Sequence, residues 1–342
     1  MTLEETIMKK TEIWRRVALI VLAAALALLC AVAYAIDGIV SIPIENKTMR
    51  AYVKGSGDHT IVLLSGWATE DPINDCNPLV EKLSDEYRVV VLEYFGYGSS
   101  SQTSTERSNK AIVEEIRTAL AKLEIKPPYI LMPHGMSGLY CLYYAQHFPE
   151  EVDGIIGIDM ALPQKQLERW LTNKDFDEKA RITAPSNELN ETMVNQWNRF
   201  RENSEELQDV KYSSTLPVLA FLATEQIEAV NDMIKKGEMK TSWEQMNRDM
   251  ITNDAIQNIK ILAGEHYLHH DQADQIAKLA KEFITQYIPP TVDKPGKKPV
   301  PKTGDSAEPV LWAGLVLLGL LGTGGALLPR RGRRTGVFRK RG

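Results

Sequence analysis

Between Val40 and Ile288 the chain alternates short, β-rich apolar runs with longer stretches of helical period. That pattern predicts an α/β fold, a mostly parallel sheet with helices on both faces. Lys47-Thr48-Met49-Arg50-Ala51-Tyr52-Val53 alternates polar and apolar positions, and with the Gly55-Ser56-Gly57-Asp58 turn it reads as an edge hairpin. Thr60 to Leu64 and Arg88 to Leu92 are buried strands; Ser65-Gly66-Trp67 follows the first and Glu93-Tyr94-Phe95-Gly96-Tyr97-Gly98-Ser99-Ser100 the second. Asn109 to Leu123 has helical periodicity and leads through Pro127-Pro128 into a strand at Tyr129. Val152 to Ile158, Leu216 to Ala223 and Ile256 to Leu262 supply further strands, and Gln272 to Tyr287 is a closing amphipathic helix. From Pro163 to Thr215 the chain is polar and helical, with few strand signals.

The two ends depart from this alternation. Val17 to Ile36 is about 20 residues without a charge, long enough to cross a bilayer. Lys9, Lys10, Arg15 and Arg16 precede it, which keeps the N-terminus cytoplasmic and exports the rest of the chain. Residues 1–36 are therefore a signal peptide or an uncleaved signal anchor, with small-x-small sites at Ala31-Val32-Ala33 and Ala33-Tyr34-Ala35. A second apolar run, Val310 to Leu328, ends in a tail (329–342) carrying Arg330, Arg331, Arg333, Arg334, Arg339, Lys340 and Arg341. The Pro- and Lys-rich stretch 289–309 reads as an extended linker, and it contains Val300-Pro301-Lys302-Thr303-Gly304. Motif, apolar run and basic stop in that order resemble a Gram-positive cell-wall sorting signal, in which sortase cuts between Thr and Gly of Leu-Pro-x-Thr-Gly. Val300 stands where that motif has Leu. The resemblance implies sortase, peptidoglycan and the membrane as partners, and display on the extracellular face. A plain C-terminal transmembrane anchor displays the same middle segment.

Net charge is −5, and the main basic cluster is the C-terminal tail. No basic stripe marks the middle of the chain, so nucleic acid is not an expected partner. Outside the N-terminal apolar run only Cys76 and Cys141 remain, without metal-like spacing, and they read as two buried thiols.

The candidate chemistry gathers around Tyr129-Ile130-Leu131-Met132-Pro133-His134-Gly135-Met136-Ser137-Gly138-Leu139-Tyr140, a strand, a sharp turn and a helix of small and apolar residues. That is the layout of a nucleophile elbow. Together with the segments after Leu64 and Leu92, and Ala263-Gly264-Glu265-His266-Tyr267-Leu268-His269, it makes Thr60 to Ile288 resemble the α/β-hydrolase superfamily, especially its N-terminally anchored Gram-positive branch. The resemblance implies a domain over 38–288 with a helical lid at about 163–215. Elbows of that superfamily usually read Gly-His-Ser-Met-Gly-Gly-Leu. Set on that pattern, His134, Met136, Gly138 and Leu139 match, and Gly135 takes the nucleophile's place.

Glycine relaxes the strain of an elbow, but acyl transfer needs an oxygen or sulfur nucleophile beside a base. Ser137, two residues on, is the alternative nucleophile and is expected to point elsewhere from the first helical turn. The resemblance further implies His266 as general base, with Asp159 as its acid and Glu225 as the alternative. It implies the backbone N–H of Met136, with that of Trp67 or Ala68, as oxyanion donors. No cofactor or metal is expected: His269 and His270 read as surface or helix-capping residues, because no carboxylate has helix-face spacing with them. These residues leave three functions open. One is a serine-hydrolase lineage protein for small esters, amides or lipids that has lost ordinary serine catalysis. The others are a non-catalytic binder of a small ligand or wall component, and an active hydrolase using Ser137.

Overall fold

A computed structural model describes residues 38–163 and 189–290. The expected leader, the first half of the lid segment, the linker with Val300–Gly304, the second apolar run and the basic tail lie outside the described residues. Among the described residues no helix is long and apolar enough to cross a membrane. All of them fall within the first of the chain's two compact units, Met1–Val292.

Eight strands form one sheet in the order β1-β2-β4-β3-β5-β6-β7-β8. They are β1 (Gly38–Ile44), β2 (Lys47–Lys54), β3 (Thr60–Leu64), β4 (Arg88–Glu93), β5 (Tyr129–Pro133), β6 (Val152–Ile158), β7 (Val218–Ala223) and β8 (Gln257–Leu262). From β4 through β8 every neighbouring pair is parallel. β3, β5 and β7 are buried at every residue, as a sheet covered on both faces demands.

The edge hairpin differs from expectation. It is formed by β1 and β2, which pair from Gly38↔Val53 to Ile44↔Lys47. The turn is therefore Glu45-Asn46, and Gly55–Asp58 is a crossing loop, because β2 lies antiparallel beside β4 and not beside β3. Close approach accounts for the glycines there: a Cβ on Gly55 would run into the Ser84 carbonyl, and one on Gly57 into the Glu86 carbonyl. Both produce a turn signal that the topology uses otherwise.

Helices α1 (Pro72–Leu83) and α8 (Ala273–Tyr287) cover one face of the sheet, packing Leu79, Val80, Ile276 and Phe283 against Ile61, Val91 and Met132. On the other face α2 (Asn109–Lys122) and α3 (Ser137–His147) set Ile112, Ile116 and Leu139 against Val62, Leu92 and Leu131. The Asp71 side chain caps α1 and the Ser108 side chain caps α2, each accepting from an otherwise unpaired helix N–H.

Within the expected lid, α4 (Glu191–Glu206) is capped by Asn190. It is tied to the body by polar contacts. Trp67 Nε1 donates to the Met193 carbonyl (3.0 Å), Tyr97 to Gln196 (3.0 Å), and Asn109 Nδ2 to the Asn203 carbonyl (2.8 Å). The Trp67 and Trp197 rings lie 4.5 Å apart. The chain continues through α5 (Thr224–Lys235), α6 (Trp243–Asp249) and the single turn α7 (Leu268–Asp271).

Candidate active site

The C-terminal ends of parallel strands place the chemistry at one edge of the sheet. β5 leads into His134-Gly135, β6 into Asp159, and β8 through Gly264 to His266. Gly135 adopts φ +51, the left-handed region that a sharp strand-to-helix turn uses. Its carbonyl accepts from Ala161 N (2.7 Å) and Gly138 N (3.1 Å), and its N–H donates to the Ile158 carbonyl (3.3 Å). The turn is thus held by the backbone on three sides. A Cβ built at Gly135 would stand 3.1 Å from His266 Nε2 and 3.6 Å from Gly66 Cα. A side chain at this position would begin directly beneath the imidazole.

His266 is held from behind. Its Nδ1 donates to Asp159 Oδ2 at 2.7 Å, leaving Nε2 turned toward Gly135. Asp159 is buried, and its other oxygen accepts from Trp243 Nε1 (3.0 Å) and Ala223 N (3.3 Å). Its backbone lies at φ +41, an uncommon conformation that Asp tolerates better than most residues. Glu225, the alternative acid, is exposed on the first turn of α5, where its N–H bonds to the Gly264 carbonyl. The structure brings Asp159 to His266 and leaves Glu225 away from it, because β6 ends level with β5 whereas the turn after β7 runs straight into a helix.

Ser137 is the first residue of α3 and is buried. Its hydroxyl donates to the Ser65 carbonyl at 2.5 Å and pairs with the Tyr94 hydroxyl at 2.8 Å. Its hydrogen bonds go to these two partners and none to His266, so it acts as a strut between α3 and the loops after β3 and β4.

The expected oxyanion donors divide. Met136 N–H, at the N-terminal end of α3, meets no acceptor among the described residues, and the helix dipole adds partial positive charge there. Ala68 N–H is engaged by the Tyr97 hydroxyl at 3.3 Å. Tyr94, Phe95 and Tyr97 are fully buried, and they pack the loops beneath α4.

Two supporting roles are not announced by the sequence, although His134 itself matches the elbow pattern. His134 is buried, and its Nε2 donates to the His266 carbonyl at 3.2 Å, which fixes the loop carrying the imidazole. Burial first, then the neighbouring His266 and His269, push its pKa well below the ordinary histidine range, so it remains a neutral donor. Trp243 supports Asp159 from 84 residues away, a separation with no local signature.

His270 is at the surface as expected, but the expectation for His269, and that of no carboxylate partner for either, needs correcting. His269 is buried, and both rings meet a carboxylate: Asp75 Oδ2 lies 2.9 Å from His269 Nε2, and Asp75 Oδ1 lies 2.8 Å from His270 Nε2. Asp75 comes from α1, so the partner arrives through tertiary packing and not through spacing along a helix. Burial pushes the Asp75 carboxyl up, but hydrogen bonds and charge from His269, then His270, hold it below its usual value.

Comparison with known proteins bears on the fold and the family. The sequence matches the family described as alpha/beta hydrolase fold over residues 59–313. The protein YbdG of Bacillus subtilis (strain 168) is 37% identical over 134 residues, covering 39% of this chain and 41% of YbdG. The chain thus spans less than half of that relative. A pimeloyl-[acyl-carrier protein] methyl ester esterase of Xanthomonas oryzae pv. oryzae (strain MAFF 311018) is 31% identical over 102 residues, 30% of this chain and 37% of the esterase. Among solved structures, epoxide hydrolase VrEH1 from Vigna radiata is similar with a TM-score of 0.54 at 14% identity, covering 73% of this chain and 98% of that one. An esterase from Thermogutta terrifontis gives 0.53 at 15% identity, with coverages of 73% and 98%. At those identities the structural likeness establishes the fold alone. Sheet order, elbow and family match converge: the chain belongs to the α/β-hydrolase family.

Proposed function

We propose that this protein is a serine-hydrolase scaffold whose elbow lacks its nucleophile, and that it binds the carbonyl group of a small ester, amide or lipid without forming an acyl-enzyme. One observation carries the reading. The position whose Cβ would lie 3.1 Å from His266 Nε2 is Gly135, which has no side chain to react. Ser137 does not replace it, since its hydroxyl is bound to Ser65 and Tyr94. The His266–Asp159 pair supplies a hydrogen-bonding imidazole, and Met136 N–H supplies a donor for a carbonyl oxygen. Both survive the loss of the nucleophile, because neither depends on the side chain at position 135. The partial similarity to a methyl ester esterase supports esters as the ligand class.

On this reading the domain is displayed on the outer face of a Gram-positive cell. Val17–Ile36 directs export, and Val300–Gly304 with the following apolar run and basic tail retains the chain at the wall or membrane through sortase. Cell fractionation of wild type and Thr303→Ala tests this part: wall-linked protein that shifts to the membrane fraction in the variant supports it, and intracellular protein contradicts it. The binding reading is tested on the purified full-length protein with short p-nitrophenyl esters and a fluorophosphonate. Turnover no greater than that of His266→Ala, with no labelling of the native protein, supports the proposal. Turnover that disappears in Ser137→Ala overturns it.

A further inference from the structure

We propose that Asp75, His269 and His270 form a binding site for a divalent transition-metal ion of the zinc class, clamping the loop that carries His266 to helix α1. One carboxylate and two imidazoles meet there, and their ligand atoms all lie within 4.8 Å of one another. Each oxygen of Asp75 faces a different Nε2, at 2.9 Å for His269 and 2.8 Å for His270. Two imidazole nitrogens and one carboxylate oxygen make a three-ligand set typical of open zinc sites, with water completing the coordination. Imidazole donors favour zinc and its first-row neighbours over calcium or magnesium, which take oxygen ligands.

The surroundings suit a bound metal ion. His269 is 1% exposed, and its ring lies 4.6 Å from His134, which in turn lies 4.5 Å from His266. His270 adds a fourth imidazole, 4.4 Å from His269. The rings gather imidazole nitrogens at one end of α1, and a metal ion bound there would have its charge balanced in part by Asp75. The half-exposed His270 leaves the site open to solvent, so an ion can enter. Among the described residues only α1 and the turn of α7 contribute ligands, and His266 is three residues from His269. A bound ion would therefore fix the His266 loop to α1 without touching the ligand pocket.

The untagged full-length protein, stripped with a chelator, is titrated with Zn2+ and separately with Co2+. The expected result is one equivalent of Zn2+ per chain, visible d–d bands with Co2+, and a higher Tm with zinc bound. His270→Ala and Asp75→Asn should each weaken Zn2+ binding at least about tenfold. His270 is exposed enough that its variant keeps the native circular dichroism. Absence of saturable Zn2+ binding overturns the site, as does equal affinity in wild type and in folded His270→Ala. Because none of these readouts involves ester binding, failure here leaves the reading of Gly135 unaffected.

Discussion

His266 Nε2 stands 3.1 Å from the point where a side chain at Gly135 would begin. This is closer than an ordinary van der Waals contact to a Cβ, so the imidazole leans into space that a nucleophile's side chain would fill. His266 is oriented by Asp159 as a triad base would be, while the position facing it is backbone alone. Glycine suits the turn at φ +51 better than serine does, so the missing side chain goes with a relaxed backbone.

Restoring a side chain should therefore cost stability. Gly135→Ala and Gly135→Ser are each expected to destabilise the domain by about 1–3 kcal/mol through left-handed strain and displacement of His266. Urea denaturation of the three proteins reads this directly. Equal stability would mean that the turn carries no strain.

Asp159 should matter only once a nucleophile is present. In a Gly135→Ser background, Asp159→Asn is expected to lower esterase kcat by about 10⁴-fold, because the imidazole loses the acceptor that fixes its tautomer. Glu225→Gln in the same background should leave kcat within about twofold, its side chain being exposed on α5. Steady-state kinetics of both variants separates the two acids.

Ser137 is assigned a structural role, and its removal should show one. Ser137→Ala breaks the bonds to Ser65 and Tyr94 and is expected to destabilise by about 1–3 kcal/mol. Fluorophosphonate labelling of Gly135→Ser should be unaffected when Ser137→Ala is added. A drop in labelling matched to the loss of folded protein would be consistent; loss of labelling in fully folded protein would not.

The parallel strands and the elbow are legible in the sequence because both are local patterns: apolar runs of strand length, and a register of small residues around Gly135. Asp159 is visible as a residue at a strand end, but its choice over Glu225 depends on the heights at which β6 and β7 terminate. The hairpin is not legible, since Gly55–Asp58 carries turn residues for close packing against Ser84 and Glu86. Trp243, His134 and Asp75 act through contacts between residues distant in sequence. Nothing in the spacing of His269 and His270 could announce a carboxylate 194 residues away.

The Glu151 cluster predicts a pH dependence. Arg117 Nε and Nη2 bond to both oxygens of Glu151 (2.9 and 2.7 Å), and the Tyr144 hydroxyl donates to it at 2.8 Å. Burial pushes the Glu151 carboxyl up, but these partners outweigh it and hold it below its usual value. A carboxylate lowered on folding contributes stability above its unfolded pKa of about 4.3, lost as pH falls through the folded value. Glu151→Gln should be less stable than wild type by about 1–3 kcal/mol at pH 7, with the gap narrowing below about pH 4. Denaturation midpoints across that range check the sign.

The central claim of the proposal is that the nucleophile is what the assembled His266–Asp159 pair lacks. Its most direct test is fluorophosphonate labelling of the wild type, Gly135→Ser and Gly135→Ser/His266→Ala. The expected pattern is no label on the wild type, covalent label on the introduced serine in the single variant, and loss of that label when His266 is removed. Labelling of the native protein at Ser137, or silence of a folded Gly135→Ser, would contradict it.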